Sequence, residues 1–410
     1  MPQTTRSALP IYGMAAVASL LTAMILLFPE ASFSASVAGL RLWLEVVFPA
    51  LLPFFVMAEL MMGLGVIHCL GVLLEPLMRP LFRLPGAGAF AVAVGLAAGY
   101  PLGAKVAGDL RRAGLCTGAE GERLVSFANT ADPLFLAGAV AVGMFALPEL
   151  AGPLALAHYV GVLGVGFLMR FHAPGGPQTI ERRADGPLLG RALSALRSAR
   201  RRDGRPIGQL FGDAVRNSMH SLLFVGGAIM MFSVFLEVLS IAGVVPLAAQ
   251  LLAAALEYFH VHPSVADALV RGAFEITIGA QTASTAAAPL MEKAVAASAV
   301  IAWSGLSVHA QVAAMLQGTD IRLGPYIAAR TLHALLAGAC TWVLMGPAHG
   351  LWQAAHWPAW APVWAAQSLS FGARLFHSTA TATQMALGML AVVGAAATAR
   401  RLAVFWARLR

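Results

Sequence analysis

The sequence predicts an all-α polytopic membrane protein, about eight transmembrane helices plus two re-entrant hairpins built as inverted repeats, and three observations carry that prediction. Apolar residues make up 59% of the 410 positions and charged residues only 11%, with a mean hydropathy of +0.76. Soluble domains carry about 25% charge. The second observation is a weak duplication of polar, broken strings. GYPLGAK at Gly99–Lys105 has a counterpart in ITIGAQT at Ile276–Thr282, and SFANTADP at Ser126–Pro133 has one in AWSGLSVH at Ala302–His309. Gly103 and Phe127 map onto Gly279 and Trp303 at one offset, since 279 minus 103 and 303 minus 127 are both 176. Paired interruptions at matching places in two halves point to a transporter-type binding site at the bilayer midplane. The third observation is how the basic residues are distributed.

Apolar runs near the roughly 20 residues that cross a bilayer as helix occur at 10–28, 44–66, 154–169, 222–242, 325–345 and 380–398, with broken candidates at 124–145 and 295–315. The first run follows Arg6 and precedes Ser34-Ala35-Ser36, a passable cleavage site. It exceeds the about 7–15 residues of a signal h-region, and we read it as an uncleaved span. The organisation expected is a first span and external connector (1–43), repeat 1 (44–170), a basic cytoplasmic linker (171–217), an inverted repeat 2 (218–346), and a Trp-rich interfacial segment with a last span (347–410).

With the N- and C-termini cytoplasmic and the stretch from Gly86 to Gly103 entering and returning on one side, only Arg41, Arg271, Lys293 and Arg374 of the 27 basic residues fall outside. That satisfies the positive-inside rule. A full crossing at 86–103 would strand either Arg79 and Arg83 or Lys105, Arg111 and Arg112 on the wrong side. A hairpin reversing at Gly99-Tyr100-Pro101 avoids this. In the second half the equivalent loop, 284–294, carries only Glu292 and Lys293, so that half is expected to enter from the opposite face. Within the linker, ALSALRSARRR at 192–202 reads either as a basic interfacial helix on anionic lipid or as a solvated determinant of topology. Trp352, Trp357, Trp360 and Trp364 suit the headgroup zone.

The candidate binding residues sit at the interruptions. Pro133 frees backbone groups near Asn129, and Asn129, Thr130 and Asp132 supply donors and acceptors where lipid offers none. A helix that stops and restarts exposes carbonyls that suit a coupling cation, Na+ or H+, and N–H groups that suit a polar or anionic ligand. Asn129 and Asp132 could equally cap the restarted helix. Gly99, Tyr100 and Lys105 mark the first hairpin tip; Glu275, Thr277, Gln281 and Thr282 mark the second. An intramembrane carboxylate such as Glu275 is a functional candidate, although Arg271 stands at the spacing of a helical ion pair. The second broken helix offers Ser304, Ser307 and His309, the last either a contact or a packing residue, with Gln311 nearby. Glu59 and Glu237 lie in spans without a basic neighbour in sequence.

Several classes are excluded. Cys69, Cys116 and Cys340 are scattered without CxxC spacing, so no disulfide framework or metal site is expected. HExxH, Walker A and GxSxG strings are absent, and no catalytic residue is assigned. The net charge of +8 sits beside membrane segments and does not form a nucleic-acid groove. The expected partners are membrane lipid and a small polar solute; a homo-oligomer stays open.

LLEPLMRPLF, GLAAGYPLGAK and GERLVSFANTADPLF, within Phe48–Phe135, resemble the sporulation integral membrane protein YlbJ family, and WSGLSVHAQ at Trp303–Gln311 resembles its second-half counterpart. The resemblance spans roughly residues 10–400. It implies two nucleoside-recognition ("Gate") domains, similar in pattern to concentrative nucleoside transporters, whose GQT-type hairpin and FAN-type broken region surround the ligand. GAQT at Gly279–Thr282 and FANT at Phe127–Thr130 look like these, but in opposite copies, and Ala283 follows Thr282 where the acidic form would continue. The resemblance further implies a role in endospore cortex formation, by solute handling or as a scaffold or sensor, in the bacterial cell membrane or the forespore membrane.

Overall fold

A computed structural model describes residues 9–180 and 186–348. Every regular element among them is helical. Five helices are long and apolar enough to cross a bilayer: Pro29–Gly63, Pro148–Met169, Ile207–Ile241, Leu290–Met315 and Leu323–Met345. Ala15–Leu27, Gly88–Ala98, Phe135–Met144 and Val244–Tyr258 are shorter apolar helices. The span expected at 380–398, the Trp-rich segment and both chain ends lie outside the described residues.

The two 35-residue helices, Pro29–Gly63 and Ile207–Ile241, are counterparts at nearly the same offset, since 207 minus 29 and 241 minus 63 are both 178, and they pack on one another. At about 1.5 Å per residue each outruns the hydrocarbon. Ile207–Ile241 accordingly starts inside the stretch read as linker, after Pro206, which is compatible with the entry to a helix but not with its interior. The Trp43 indole N–H donates to the Leu222 carbonyl at 2.9 Å, and its ring lies where Gly226 has no side chain; a Cβ there would stand 2.7 Å from Trp43 Cε2. Among the described linker residues, Leu188–Asp203 forms a helix packed on Val66–Leu77. Arg191 reaches Glu75, while Arg197, Arg201 and Arg202 stay exposed.

The duplication is visible element by element. In the first copy a hairpin of Gly88–Ala98 and Leu102–Arg112 is followed by a broken helix, Gly118–Ala128 and Phe135–Met144, and a closing helix, Ala151–Met169. In the second the hairpin is Val265–Phe274 and Ile276–Thr285, the broken helix Leu290–Trp303 and Gly305–Met315, and the closing helix Leu323–Met345. The offset of 176 carries the first hairpin tip, Gly99, onto the second, Glu275, and Ala128 at the end of one half-helix onto Ser304 at the end of the other. The first hairpin is longer than the sequence suggested, because its return strand of chain continues as helix to Arg112.

Inversion follows from what touches the hairpin bases. Arg111 binds Asp320 at 2.6 Å, and Arg112 donates to the carbonyls of Met315 and Gln317 at 3.2 and 2.9 Å. The first hairpin therefore opens on the face where the second broken helix ends. The second hairpin opens where that helix begins, with the His262 N–H on Glu292 at 2.7 Å. Since Leu290–Met315 is long enough to cross, the hairpins enter from opposite faces. Around the first base a basic face is knitted together: Arg79 to Glu120 at 3.1 Å, Arg322 to Glu122 at 2.6 Å, and Arg123 to the carbonyls of Arg83, His172 and Ala173. Thr117 and Glu120 close a reciprocal cap at the start of the first broken helix.

The first hairpin straddles the end of Gly118–Ala128. Gly95 on one arm and Gly103 on the other both press against the Ala128 carbonyl, so a Cβ at either would collide with backbone oxygen. Gly95→Ala and Gly103→Ala are expected to prevent recovery of folded protein from membranes. Gly227→Ala, with nothing within 4 Å, should leave melting in detergent unchanged or raised. Hydrogen bonding to Arg111 holds the Asp320 carboxyl below its usual range. The bridge therefore contributes fully above the ordinary aspartate range and is lost as pH falls through the depressed value. Asp320→Asn should melt lower than the parent at pH 7, the difference closing in acid.

Candidate functional site

The two helix breaks differ in construction. At the first, Asn129 turns to an extended conformation (φ −87°, ψ 94°), and Pro133 keeps Asp132 out of helical geometry. The Asp132 carboxylate then accepts from the N–H groups of Leu134 and Phe135 at 3.0 and 2.9 Å, restarting the helix. At the second, one residue suffices. Ser304 adopts φ +72° and Gly305 follows at +71°, a turn in the left-handed region that glycine reaches without a Cβ penalty.

Each hairpin tip presses on the break of its own copy, with acid and glycine exchanged. In the first copy the tip glycine, Gly99 (φ +67°), abuts the acid of the break; its Cβ would stand 2.7 Å from Asp132 Oδ2. In the second the tip carries the acid, Glu275, which accepts from the Ile278 N–H at 2.8 Å, and the glycine is on the break. A Cβ on Gly305 would lie 3.1 Å from Glu275 Cα. The Glu275–Arg271 pair suggested by sequence does not form: Arg271 binds Asp267 at 2.8 Å, and Glu275 caps a helix instead.

The four interruptions meet at one cavity of about 60 Å³. Its polar lining is Tyr100, Asp132, Glu275, Thr277, Ser307 and Gln311. Phe55 from one long helix and Val225 from the other are among the apolar residues that close it. Asp132 and Glu275 are both buried, and Ser307 Oγ is buried without a protein partner. Tyr100 donates to the Ile301 carbonyl at 3.2 Å, joining the first tip to the second broken helix.

Other predicted residues fall around this centre. Asn129 is fully buried and donates to the Tyr326 hydroxyl at 2.9 Å, with Oδ1 unpartnered. Thr130 donates to His158 Nε2 at 2.8 Å; the Ala131 N–H also points at that nitrogen, which makes it the acceptor. Ser304 is buried at the break. His309 donates from Nδ1 to the Gly305 carbonyl at 2.6 Å and stacks between Trp303 and Tyr326, holding the break and not lining the cavity. Thr282 bonds back to the Ile278 carbonyl, and Gln281, one turn beyond Thr277, does not line the cavity either. Lys105 is not brought to the site: it is exposed and paired with Asp109 at 3.1 Å. Glu59 faces Asn217 at 3.2 Å.

Sequence reasoning missed the largest fully buried side chain, Arg330, on the second closing helix. Counted from sequence as an inside charge, it is 0% exposed. Its Nη1 donates to the Asn129 carbonyl at 3.1 Å and the Tyr100 hydroxyl at 3.3 Å, its Nη2 to the Ser126 carbonyl at 2.8 Å. The guanidinium also lies 5.7 Å from the Tyr326 ring centroid. The readable signal was an arginine inside an apolar run with no acid three or four residues away. His158 and His333 were also missed; their rings stack at 4.5 Å where the closing helices cross, and His333 Nε2 donates to the His158 carbonyl at 2.9 Å.

Known proteins resemble this arrangement. A family model described as "Gate: Nucleoside recognition" matches residues 44–166. The fold is similar to that of CNTnw, a concentrative nucleoside transporter solved in an inward-facing substrate-bound state, with a TM-score of 0.51 at 15% identity over 83% of this chain and 88% of that one. A substituted form of CNTnw in an outward-facing state aligns at a TM-score of 0.44, 15% identity, 84% of this chain and 88% of that one. In sequence the chain is 43% identical over 334 residues, 81% of its length and 82% of the relative's, to the sporulation integral membrane protein YlbJ of Bacillus subtilis (strain 168). Identity of that extent shows that the chain belongs to the YlbJ family of sporulation integral membrane proteins.

Proposed function

We propose that this multi-pass membrane protein binds a small polar solute at the cavity where the four interruptions meet and moves it across the membrane in support of endospore cortex formation, without catalysing a reaction. The convergence of both hairpin tips and both broken helices on Asp132 and Glu275 is the observation that carries the reading. Two carboxylates can only accept when ionised, and Ser307, Thr277 and Gln311 add groups that adapt to either role. The lining therefore favours a solute that presents donors, hydroxyl or ammonium groups, toward the acids, with apolar atoms toward Phe55 and Val225. Pockets for drug-sized ligands run to about 300–1,000 Å³, whereas 60 Å³ admits a few waters. A solute of nucleoside size needs the long helices or the hairpins to part first.

That small volume also favours a second reading, a scaffold or sensor that retains the architecture without carrying solute. Proteoliposome uptake with nucleosides, peptidoglycan precursors and small amines separates the two. Uptake of any of them supports transport; a solute-induced melting shift without uptake supports a sensor. For the site itself, Asp132→Asn and Glu275→Gln retain an oxygen for their caps and should melt near the parent while losing the solute-induced shift. Asp132→Ala should also lose about 0.5–2 kcal/mol of stability with its cap. Parent-sized solute shifts in both conservative variants would overturn the assignment.

The orientation proposed has the N-terminus and the Arg111–Asp320 face in the cytoplasm, in the cell or forespore membrane, with anionic lipid beside the exposed arginines of Leu188–Asp203. A single cysteine placed at Glu292 in a cysteine-free background should react with impermeant thiol reagent from outside, and one placed at Arg112 should not. The opposite pattern reverses the topology.

A further inference from the structure

A helix that stops within a membrane presents the partial negative charge of its last carbonyls, and such ends commonly hold exchangeable cations. At the first break those carbonyls are already engaged. Ser126 loses its helical donor because the chain turns extended at Asn129, Asn129 has none because Pro133 four residues on carries no N–H, and both accept from Arg330. The guanidinium is fully buried and, among the described residues, makes no ion pair with a carboxylate. Its counter-charge is the helix end, supported by the Tyr100 hydroxyl and the Tyr326 ring.

We infer that Arg330 is a tethered cation that fills this place permanently, so that the protein takes no exchangeable sodium ion at its first break. Three features support it. An arriving ion would have to displace a fixed positive charge from the same oxygens. The guanidinium does not deprotonate in proteins, so the place is not vacated by pH. The arrangement also belongs to one half alone: the offset of 176 puts Leu154 where the first copy would need its arginine, and at the second break the Ile301 carbonyl accepts from a neutral hydroxyl, Tyr100. The inference concerns the break and not the cavity, and it stands whether or not the protein carries solute.

The test is thermal melting of the purified full-length protein in detergent, without solute, in sodium, potassium and choline chloride at equal ionic strength. The parent is expected to melt at one temperature in all three; a rise specific to sodium would overturn the proposal. Arg330→Ala is expected to melt lower and to recover by about 2 °C or more in sodium chloride or in millimolar methylguanidinium chloride. A folded Arg330→Ala protein that responds to neither ion would show that the side chain only fills space, and the proposal fails. Should that variant not fold, Arg330→Lys decides: it keeps the charge and should be as indifferent to sodium as the parent, whereas sodium dependence there refutes a built-in cation.

Discussion

In hydrocarbon no water is available to a backbone group that has lost its helical partner, and this single constraint organises the structure. Each interruption releases carbonyls and N–H groups, and distant parts of the chain supply the replacements. Arg330 takes the carbonyls of Ser126 and Asn129; Tyr159 takes that of Ala131 at 3.0 Å; His158 accepts the N–H of Ala131. At the second break Tyr100 serves Ile301, and Trp303 donates to the Ala273 carbonyl at 3.1 Å. The two halves are thus mutually dependent: the arginine that completes the first break belongs to the second copy, and the tyrosine that completes the second belongs to the first.

The same constraint explains why acid and glycine change places between the copies. Where a tip meets a break, one partner must cap freed N–H groups and the other must leave room for the approach. In the first copy Pro133 dictates a four-residue break, Asn129 to Asp132, that seats Asp132 as the cap, so the tip supplies the glycine, Gly99. In the second the break is the single residue Ser304 and holds no acid. The acid stands instead at the tip, where Glu275 caps the return helix of its own hairpin through the Ile278 N–H, and Gly305 supplies the room. The exchange keeps one carboxylate per copy at the cavity.

Much of this was legible because breaks in an apolar background are conspicuous. Pro101, Pro133 and the Asn129–Asp132 cluster mark themselves, and the offset of 176 aligns both tips and both breaks in the structure. The re-entrant assignment of the first hairpin came from charge alone, since Arg79 and Arg111 had to share a face, and they do so through Glu120, Glu122 and Asp320. What sequence concealed were pairings set by three-dimensional proximity. Counting arginines as surface markers hid Arg330, because a basic residue near a span end and one folded into the core count alike. Lys105 looked like part of the tip because it is close in sequence, but a helix that restarts at Leu102 turns it outward to Asp109. A helix at 192–202 was one of the two readings the composition offered, but its packing was not legible: Arg191 binds Glu75, and Asp203 pairs with Arg205 at 2.6 Å.

The cavity is closed by the two long helices, one at the head of each copy. Its hairpin and broken-helix walls are cross-linked by buried hydrogen bonds, from Arg330 to Tyr100, Asn129 and Ser126 and from Tyr100 to Ile301. The contribution of the long helices, Val47, Leu51, Phe55, Val225 and Ala228, is entirely apolar. Sliding apolar side chains past one another breaks no buried hydrogen bond, whereas separating Arg330 from its carbonyls leaves both a charge and two acceptors unpaired, the costlier course in a dry interior. Enlargement of the cavity should therefore begin at the long helices, with the polar cross-links around Arg330 remaining intact as the frame against which they move.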